Sequence, residues 1–450
     1  MGLFYTFPYK QSIGAPAEPV IGTGDLVERG QLIARKPQDK IGANIFSSVT
    51  GKVAAMSGES MVIEDLGTDF SKFIPLEQGT PIELIQRSGL AGLGGAGFPT
   101  YVKMQSKLSA DGTVILNAAE CEPILNHNIA RIEQEPGRLL DALQLAMTIL
   151  SVRRGVIAIK SVHEKALHML WTELRKRMLQ EAEARNTGAG NAVNSPVIKI
   201  HELPDMYPMG EERAVIREVM GILLPPDALP AEADAVVLNA ETAYRMEEAV
   251  SMRKPLIDKD MTVAGKLYDN ASSHVLMDVP IGRAVSEVFK MAGGIGKSYG
   301  EVIMGGPFTG KSVSLDSPVL KTTGGLIAAE CFLKGPERLG LLVCACGADK
   351  KRLEEIASKM GSRVTDVQYC KQAHARGNAL KCENPGHCPG QAAKVMALKK
   401  AGAQAVLISN CTDCTNTVMS CAPKLGLPVY HCTDGALRSV NHRLIRRIKG

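Results

Sequence analysis

The sequence lacks the long apolar segments that mark membrane-embedded and secreted proteins. No window approaches about 18 uninterrupted apolar residues, so we expect a soluble chain without a membrane-spanning helix. The N-terminal stretch MGLFYTFPYKQSIGAPAEP has no basic region followed by an apolar run, so no secretory signal peptide is predicted. Charge of one sign is also scarce, because 52 Lys and Arg stand against 47 Asp and Glu. The net charge of +5 indicates neither a nucleic-acid partner nor direct insertion into a membrane.

What the sequence does contain is an ordinary globular composition with one uneven residue type. Its 450 residues, 45% of them apolar and 22% charged, predict several domains at about 100–200 residues each. Nine of the eleven cysteines lie between Cys344 and Cys432. Without a secretion signal, such cysteines are expected to be thiols, metal ligands or redox pairs in the cytoplasm. A peripheral association with a membrane complex would leave no trace in composition.

Four segments differ in pattern and together predict an α/β multidomain protein. Residues 1–70 are short runs broken by Gly and Asp, which is typical of a small all-β unit. Residues 78–252 alternate predicted strands and helices, which favours a parallel sheet covered by helices. Residues 255–330 return to short elements rich in glycine, and residues 337–450 alternate again. The strands predicted in the second segment are Thr113–Asn117, Gly155–Lys160, Pro196–His201 and Ala235–Asn239.

A glycine-rich loop is the first candidate for a binding site. Gly92, Gly94, Gly95 and Gly97 stand close together, and Lys103 follows within two turns. Glycines let the backbone approach a bulky anion, and the free N–H groups of a following helix favour phosphate. The spacing differs from that of a P-loop, and the loop taken alone is equally compatible with a plain turn.

Three further blocks have the polar character of a cofactor site. Asn117–Pro123 stands where a predicted strand ends, the favoured ligand position in open α/β sheets, and Tyr207–Glu212 and Asn239–Ala243 follow. Together with the glycine-rich loop, these blocks resemble the flavin- and NADH-binding subunit of respiratory complex I. They also resemble its relatives, the RnfC family of electron-transport proteins, and they occur in the order of that family.

The resemblance implies an FMN and NADH site made of particular residues. It implies that FMN is held by Gly92, Gly94, Gly95, Lys103, Asn117, Glu120, Tyr207, Gly210, Glu211, Asn239 and Thr242. NADH is implied to lie near Phe98, Glu122 and Glu212. Leu93 and Ala119 replace an arginine and an aspartate of the complex I motif, and the RnfC branch shares both departures.

The resemblance also extends to the segments on either side. Residues 1–70 resemble the barrel-sandwich (lipoyl-like) unit of RnfC, although the turn in ANIFSSVTG has no lysine to carry a cofactor. Residues 255–330 resemble the β-grasp (SLBB) domain of that family. The implied organisation adds a Rossmann-like FMN/NADH domain over 78–252 and a cysteine-rich parallel α/β redox domain over 337–450.

The cysteine-rich end departs from RnfC, because it lacks the C-x-x-C-x-x-C-x-x-x-C-P runs of ferredoxin-type clusters. Several of its cysteines fall at the ends of predicted strands, which meet at one edge of a parallel sheet. Those strand-end residues are Cys344, Cys346, Cys370, Cys411 and Cys432. The edge of the sheet is therefore a predicted redox centre.

Two kinds of redox chemistry stay open for these thiols. One is a catalytic dithiol at Cys411 and Cys414, at the start of a predicted helix, where the thiol pKa is lowered. The other is an iron–sulfur centre whose candidate ligands are Cys344, Cys346, Cys370, Cys382, Cys388, Cys411 and Cys414. The run Cys382–Pro389 could alternatively supply a zinc site. Cys121 and Cys331 are expected to act as small apolar residues.

Three strings in the last segment, GLLVCACG, NPGHCPG and SNCTDCT, resemble the proline reductase-associated members of the RnfC family. That resemblance implies an electron-transfer flavoprotein, an NADH-dependent oxidoreductase subunit that passes electrons through FMN to D-proline reductase or another terminal reductase. An Rnf-type or cobalamin-reducing subunit is one alternative. A zinc-stabilised scaffold with a vestigial flavin loop is the other.

Overall fold

The computed structural model describes residues 2–186, 196–377, 379–410 and 418–445. Within these ranges the chain forms a succession of sheets, each built from strands that lie close together in sequence. No helix in the described ranges is both long and apolar enough to cross a membrane.

Two antiparallel sheets form the N-terminal part, with cores filled by alternate residues of their strands. The strands are β1 (Phe4–Pro8), β2 (Glu18–Pro19), β3 (Leu26–Val27), β4 (Leu32–Arg35), β5 (Ile45–Phe46), β6 (Gly51–Met56) and β7 (Ser60–Asp65). Their orders are β1-β7-β6-β3 and β2-β4-β5. Tyr5, Phe7 and Ile63 are completely buried between them. The predicted small all-β unit is confirmed.

A four-stranded parallel sheet with helices forms the second part. Its elements are α1 (Pro81–Arg87), α2 (Thr100–Met104), β8 (Thr113–Ala118), α3 (His127–Gln134), α4 (Pro136–Leu150), β9 (Arg154–Lys160), α5 (Glu164–Asn186), β10 (Val197–Leu203), α6 (Glu212–Met220), β11 (Ala235–Asn239) and α7 (Ala240–Ser251). The strand order is β10-β9-β8-β11, and all four predicted strands are confirmed. Asn117 of β8 pairs in register with Asn239 of β11. Two of the predicted binding blocks therefore meet at the carboxyl edge of the sheet.

A mixed five-stranded sheet follows. Its elements are β12 (Asp258–Gly265), β13 (Ser273–Pro280), α8 (Val285–Met291), β14 (Glu301–Met304), β15 (Lys311–Val313) and β16 (Gly325–Ala329). The order is β13-β12-β16-β14-β15, with β12 and β16 parallel and the other pairs antiparallel. Helix α8 buries Val288 and Phe289 against this sheet. The β-grasp assignment for this segment stays a prediction.

The last part is a second parallel sheet, as the alternating pattern predicts. Its elements are β17 (Arg338–Val343), α9 (Lys350–Lys359), β18 (Arg363–Tyr369), β19 (Ala373–Arg376), β20 (Ala379–Cys382), α10 (Ala392–Lys400), β21 (Ala405–Ile408), α11 (Val418–Cys421), β22 (Val429–His431) and α12 (Asp434–Ser439). The order is β18-β17-β21-β22, and β19 and β20 form a separate hairpin. Cys344, Cys370 and Cys432 directly follow β17, β18 and β22. Short 3-10 helices cover Pro230–Ala233 and Pro423–Leu425.

Candidate functional site

A cleft of about 380 Å³ opens at the carboxyl ends of β8 and β11, a volume in the range of small-molecule sites. It brings together nearly all the residues that the family resemblance implied. The predicted residues that line it are Gly92, Gly94, Gly95, Phe98, Lys103, Asn117, Glu120, Glu122, Gly210, Glu211, Glu212, Asn239 and Thr242. Tyr207 is the exception and lies outside this cleft.

The glycine-rich loop is a compact turn whose backbone faces the cleft. The N–H of Gly92 donates to the carbonyl of Phe98 at 2.8 Å, and the N–H of Leu93 donates to Thr242 Oγ1 at 2.9 Å. Gly95 has φ +103°, and a Cβ there would meet nothing within 4 Å. The loop therefore presents bare backbone to the cleft, as a flavin phosphate requires.

Lys103 places an ammonium group at the cleft. Its ammonium pairs with Glu212 and donates to the carbonyl of Val237 at 3.0 Å. Glu211 is the N-cap of α6, accepting from the N–H groups of Arg213 at 2.8 Å and Ala214 at 3.1 Å. The start of α6 is therefore held firmly beside the glycine-rich loop.

Asn117 holds the loop before α6 in place. Its Nδ2 donates to the carbonyl of Gly210 at 2.8 Å, and its Oδ1 accepts from the N–H of Ala119 at 3.1 Å. A Cβ on Gly210 would lie 2.8 Å from Cβ of Cys121, so only glycine fits without a shift of the backbone. Burial raises the pKa of the Cys121 thiol to about 12, in keeping with its expected apolar role.

Two polar residues that the family motifs did not single out, His127 and Asn128, line the cleft beside Glu120. Glu120 adopts φ +36°, unusual for a residue with a side chain, and its carboxylate accepts from the Asn128 side chain at 2.8 Å. His127 lies next to it, and both His127 and Asn128 line the cleft. The only sequence signal for them was their place soon after the Asn117–Pro123 block.

Tyr207 lies outside the cleft, whereas Glu122 lines it and is held by a turn of the mixed sheet. The carboxylate of Glu122 accepts from the N–H groups of Phe308 at 2.8 Å and Thr309 at 2.9 Å, and from Thr309 Oγ1 at 2.6 Å. Tyr207 stacks on Phe308 with ring centroids 3.7 Å apart. This stack faces a neighbouring cavity of about 370 Å³ that shares Glu120, Cys121 and Glu122 with the cleft. The reason is that a turn from the mixed sheet packs against both residues, which no local pattern encodes.

The cysteines of the last part form a line of thiol contacts. The thiol of Cys344 accepts hydrogen bonds from those of Cys346 and Cys370, which holds the pKa of Cys344 well below its ordinary value. Cys346 also contacts Cys382, and donating to both neighbours raises the pKa of Cys346. Gln391 Nε2 donates to Cys370 Sγ at 3.1 Å. Four predicted ligands are therefore adjacent.

This line of thiols is not arranged around a single point. Across the described ranges, no group of three or more His, Cys, Asp or Glu side chains could hold a metal ion. Cys411 and Cys414, the predicted dithiol, lie outside the described residues. The predicted ligand set and dithiol therefore stay predictions.

The cysteine-bearing hairpin is physically attached to the cleft. Arg213 Nη2 donates to the carbonyl of Cys382 at 2.6 Å, and Arg217 Nη1 donates to Asn384 Oδ1 and the carbonyl of Pro385, both at 2.7 Å. Lys381, one residue before Cys382, lines the cleft itself. No sequence pattern pointed to Lys381, because its role depends on how the hairpin packs.

Comparison with known proteins gives two domain matches and several relatives that align over most of their length. The Nuo51 FMN-binding domain matches residues 85–248, and the RnfC barrel sandwich hybrid domain matches residues 3–85. The cobalamin reductase PduS of Citrobacter freundii is 30% identical over 373 residues, 80% of this chain and 72% of that protein. The RnfC-type component of the proton-translocating ferredoxin:NAD(+) oxidoreductase complex of Clostridium ljungdahlii is 30% identical over 339 residues, 71% of this chain and 69% of that protein.

A solved NAD+-reducing [NiFe]-hydrogenase aligns with a TM-score of 0.48 at 21% identity, over 56% of this chain and 46% of its own, too distant to support an argument. The domain matches confirm the expected FMN-binding domain and the expected barrel-sandwich unit. The bare loop, the cationic Lys103 and the fixed start of α6 fit a flavin with its phosphate. The chain therefore belongs to the RnfC-like family and carries an RnfC barrel-sandwich hybrid domain followed by an FMN-binding domain.

Proposed function

We propose that this chain is an electron-transfer flavoprotein, an NADH-dependent oxidoreductase subunit that passes electrons from NADH through FMN to its cysteines. One observation carries this proposal. The hairpin that bears Cys382 forms part of the cleft wall through Lys381 and is held to α6 by Arg213 and Arg217. A flavin in the cleft would therefore lie close to thiols, with no diffusing carrier needed between them.

The residues of the cleft have complementary roles in this proposal. The glycine-rich loop and Lys103 would hold the phosphate of FMN, and Asn117 and Thr242 would keep the surrounding backbone in place. FMN, when bound, accepts two electrons as hydride and can release them one at a time. Phe98 and Glu212 line the same cleft, and in this proposal they would contact the nicotinamide nucleotide. The NAD(+) in the name of the Clostridium ljungdahlii relative supports NADH as the donor.

The NADH assignment is tested with Glu212. Replacing it with Ala removes a carboxylate from the cleft without touching the glycine-rich loop, so the KM for NADH should rise about tenfold while FMN stays bound. Glu218→Ala, on the same helix but outside the cleft, is the matched control. An unchanged KM in Glu212→Ala would contradict the placement of NADH.

The next carrier is the group of contacting thiols, Cys370, Cys344, Cys346 and Cys382, together with the predicted Cys388, Cys411 and Cys414. As iron–sulfur ligands they would hold a one-electron centre, and as dithiols they would accept electron pairs. Iron, sulfide and zinc analysis of anaerobically purified protein distinguishes these chemistries. A colourless protein with stoichiometric zinc and no iron would favour the scaffold and overturn the electron-transfer proposal.

Order within the route is tested by serine substitutions. Cys346→Ser, Cys411→Ser and Cys414→Ser should abolish electron delivery to a partner but spare NADH-driven reduction of a dye. Cys331→Ser, at an exposed position away from the contacting thiols, is the control. Loss of both activities would contradict a flavin-first order.

The partner is proposed on the resemblance of the cysteine strings to PrdC, the proline reductase-associated member of the family. On that basis the acceptor is D-proline reductase. The matched relatives equally support an Rnf-type or cobalamin-reducing subunit with peripheral attachment to a complex. Reduced protein should be reoxidised by D-proline reductase and not by a cobalamin acceptor.

We also propose the division of the chain into four domains, over residues 1–70, 78–252, 255–330 (β-grasp) and 337–450.

A further inference from the structure

A buried imidazole lies between two carboxylates beneath the cleft. His127 Nδ1 is 3.8 Å from Glu120 Oε2, and His127 Nε2 is 3.9 Å from Glu241 Oε2. The His127 side chain is only 4% exposed. Neither the family resemblance nor the domain matches assign it a role.

The two carboxylates differ in how their charge is balanced. Glu241 pairs with Lys259, lies 3.8 Å from Arg245 Nε and accepts from the N–H of Asp260 at 2.7 Å. Glu120 accepts from the N–H and side chain of Asn128, which are neutral groups. Within the described ranges, His127 is the one basic side chain within ion-pair distance of Glu120. A proton on His127 therefore neutralises the cleft carboxylate, whereas the buried carboxylate has its own cations.

The imidazole also has access to the cleft. His127, Glu120 and Asn128 all line it, and Thr262 Oγ1 lies 3.5 Å from His127 Nδ1 on the side of β12. A Cβ on Gly324 would lie 3.2 Å from His127 Cε1, so the glycine there leaves room for the ring. Both ring nitrogens have polar neighbours, Glu120 and Thr262 at Nδ1 and Asn128 and Glu241 at Nε2, and the ring lines the cleft, so protons can pass between His127 and the cleft.

We infer that the Glu120–His127 pair is the proton donor and acceptor of the flavin cleft. This inference rests on the proposed function. A hydride brings two electrons and one proton, so full reduction of a flavin requires one further proton. His127 releases that proton to the cleft and recovers one when the electrons leave, with the Glu120 carboxylate as its neighbour on the cleft side. His127 is thus assigned a role in proton balance, separate from NADH binding.

The test is the pH dependence of the midpoint potential of bound FMN, measured electrochemically without NADH. One proton per two electrons corresponds to about 30 mV per pH unit. In His127→Gln, which keeps a polar group but has no proton to give, the flavin takes that proton from solvent, so the slope should become steeper by up to that amount between pH 6 and 8. His163→Gln is the matched control, because His163 lines the neighbouring cavity and not the cleft.

The outcomes separate this inference from the proposed function. A wild-type slope in His127→Gln with FMN bound overturns the proton role and leaves the function standing. Failure of NADH to reduce the bound FMN overturns the proposed function, and the slope of the potential against pH still decides the proton role of His127. A protein that binds no FMN overturns both the proposed function and the proton role. If His127→Gln does not fold, Glu120→Gln serves instead, and a slope equal to the wild type there also overturns the inference.

Discussion

At the scale of single residues, the cleft is built from side chains that hold the backbone in place. Asn239 accepts from the N–H of Thr242 at 3.2 Å as the N-cap of α7, and Glu211 caps α6 in the same way. The side-chain amide of Asn117 donates a hydrogen bond to the carbonyl of Gly210. Several residues that a motif presents as ligands therefore fix the N–H groups and glycines around the cleft.

Gly210→Ala tests this at a single position. The added Cβ would lie 2.8 Å from Cβ of Cys121, and such overpacking costs about 1–3 kcal/mol. If the strain is concentrated at the cleft, the Kd for FMN should rise about tenfold or more, as measured by quenching of flavin fluorescence. Gly58→Ala is the control, since nothing lies within 4 Å of a Cβ there. An unchanged affinity in Gly210→Ala would show that this loop does not shape the flavin site.

At the scale of elements, α6 joins the cleft to the cysteine hairpin. Its N-terminus carries Glu211 and Glu212, and Arg213 and Arg217 contact the end of β20 and the residues that follow it. Hydrogen bonds from a charged guanidinium to carbonyls are among the stronger ones in proteins. Helix α6 therefore connects the cleft, where the flavin is proposed to bind, to the segment that bears Cys382.

Arg217→Ala should loosen that link without emptying the cleft. Losing hydrogen bonds from a charged group costs about 1.5–3 kcal/mol, so exchange of the neighbouring amides of Glu383, Asn384 and His387 should accelerate roughly tenfold or more. Electron delivery should slow while NADH-driven dye reduction persists. Arg153→Ala, which removes an exposed ion pair with Asp111, should change neither measurement. Unchanged exchange in Arg217→Ala would mean that the hairpin is held by other contacts.

At the scale of the whole molecule, a buried lysine ties three parts of the chain together. Lys321, before β16, donates to the carbonyls of Asn44 at 2.5 Å in the N-terminal part and Gly89 at 2.7 Å after α1. It is 1% exposed, and burial lowers the pKa of its ammonium to about 7. Compared with water, this buried position therefore favours the neutral amine of Lys321 over its charged ammonium form.

This makes stability depend on pH in a defined direction. Between pH 7 and about 10 the unfolded chain keeps a proton on Lys321 that the folded chain has lost, so the free energy of unfolding should rise with pH. The rise is at most about 1.4 kcal/mol per pH unit and should stop below pH 7. In Lys321→Met that rise should vanish, whereas the exposed control Lys334→Met should retain it. Urea unfolding at pH 7 and 9 measures the difference; equal slopes in wild type and Lys321→Met would contradict the assignment.

Much of this architecture was predictable from the sequence, and the exceptions share a cause. The four strands of the FMN-binding part, the N-terminal β unit and the strand-end cysteines were predicted because periodicity and turn residues are local. Tyr207 was expected beside the ligand, yet it stacks on Phe308 outside the cleft, and the carboxylate of Glu122, which lines the cleft, is held by the N–H groups of Phe308 and Thr309. His127 and Lys381 gave no local signal, since their positions depend on β12 and on the packing of a hairpin.

The sequence by itself determined the family, the order of the folded units and most members of the flavin cleft. It did so because glycines, caps and strand ends act through backbone conformations that neighbouring residues dictate. The tertiary structure decided which side chains share a surface: thiols in a line beside the cleft, an imidazole between two carboxylates, and a lysine among three parts of the chain. Those contacts join residues far apart in sequence, so their geometry follows from packing and charge balance across the whole molecule.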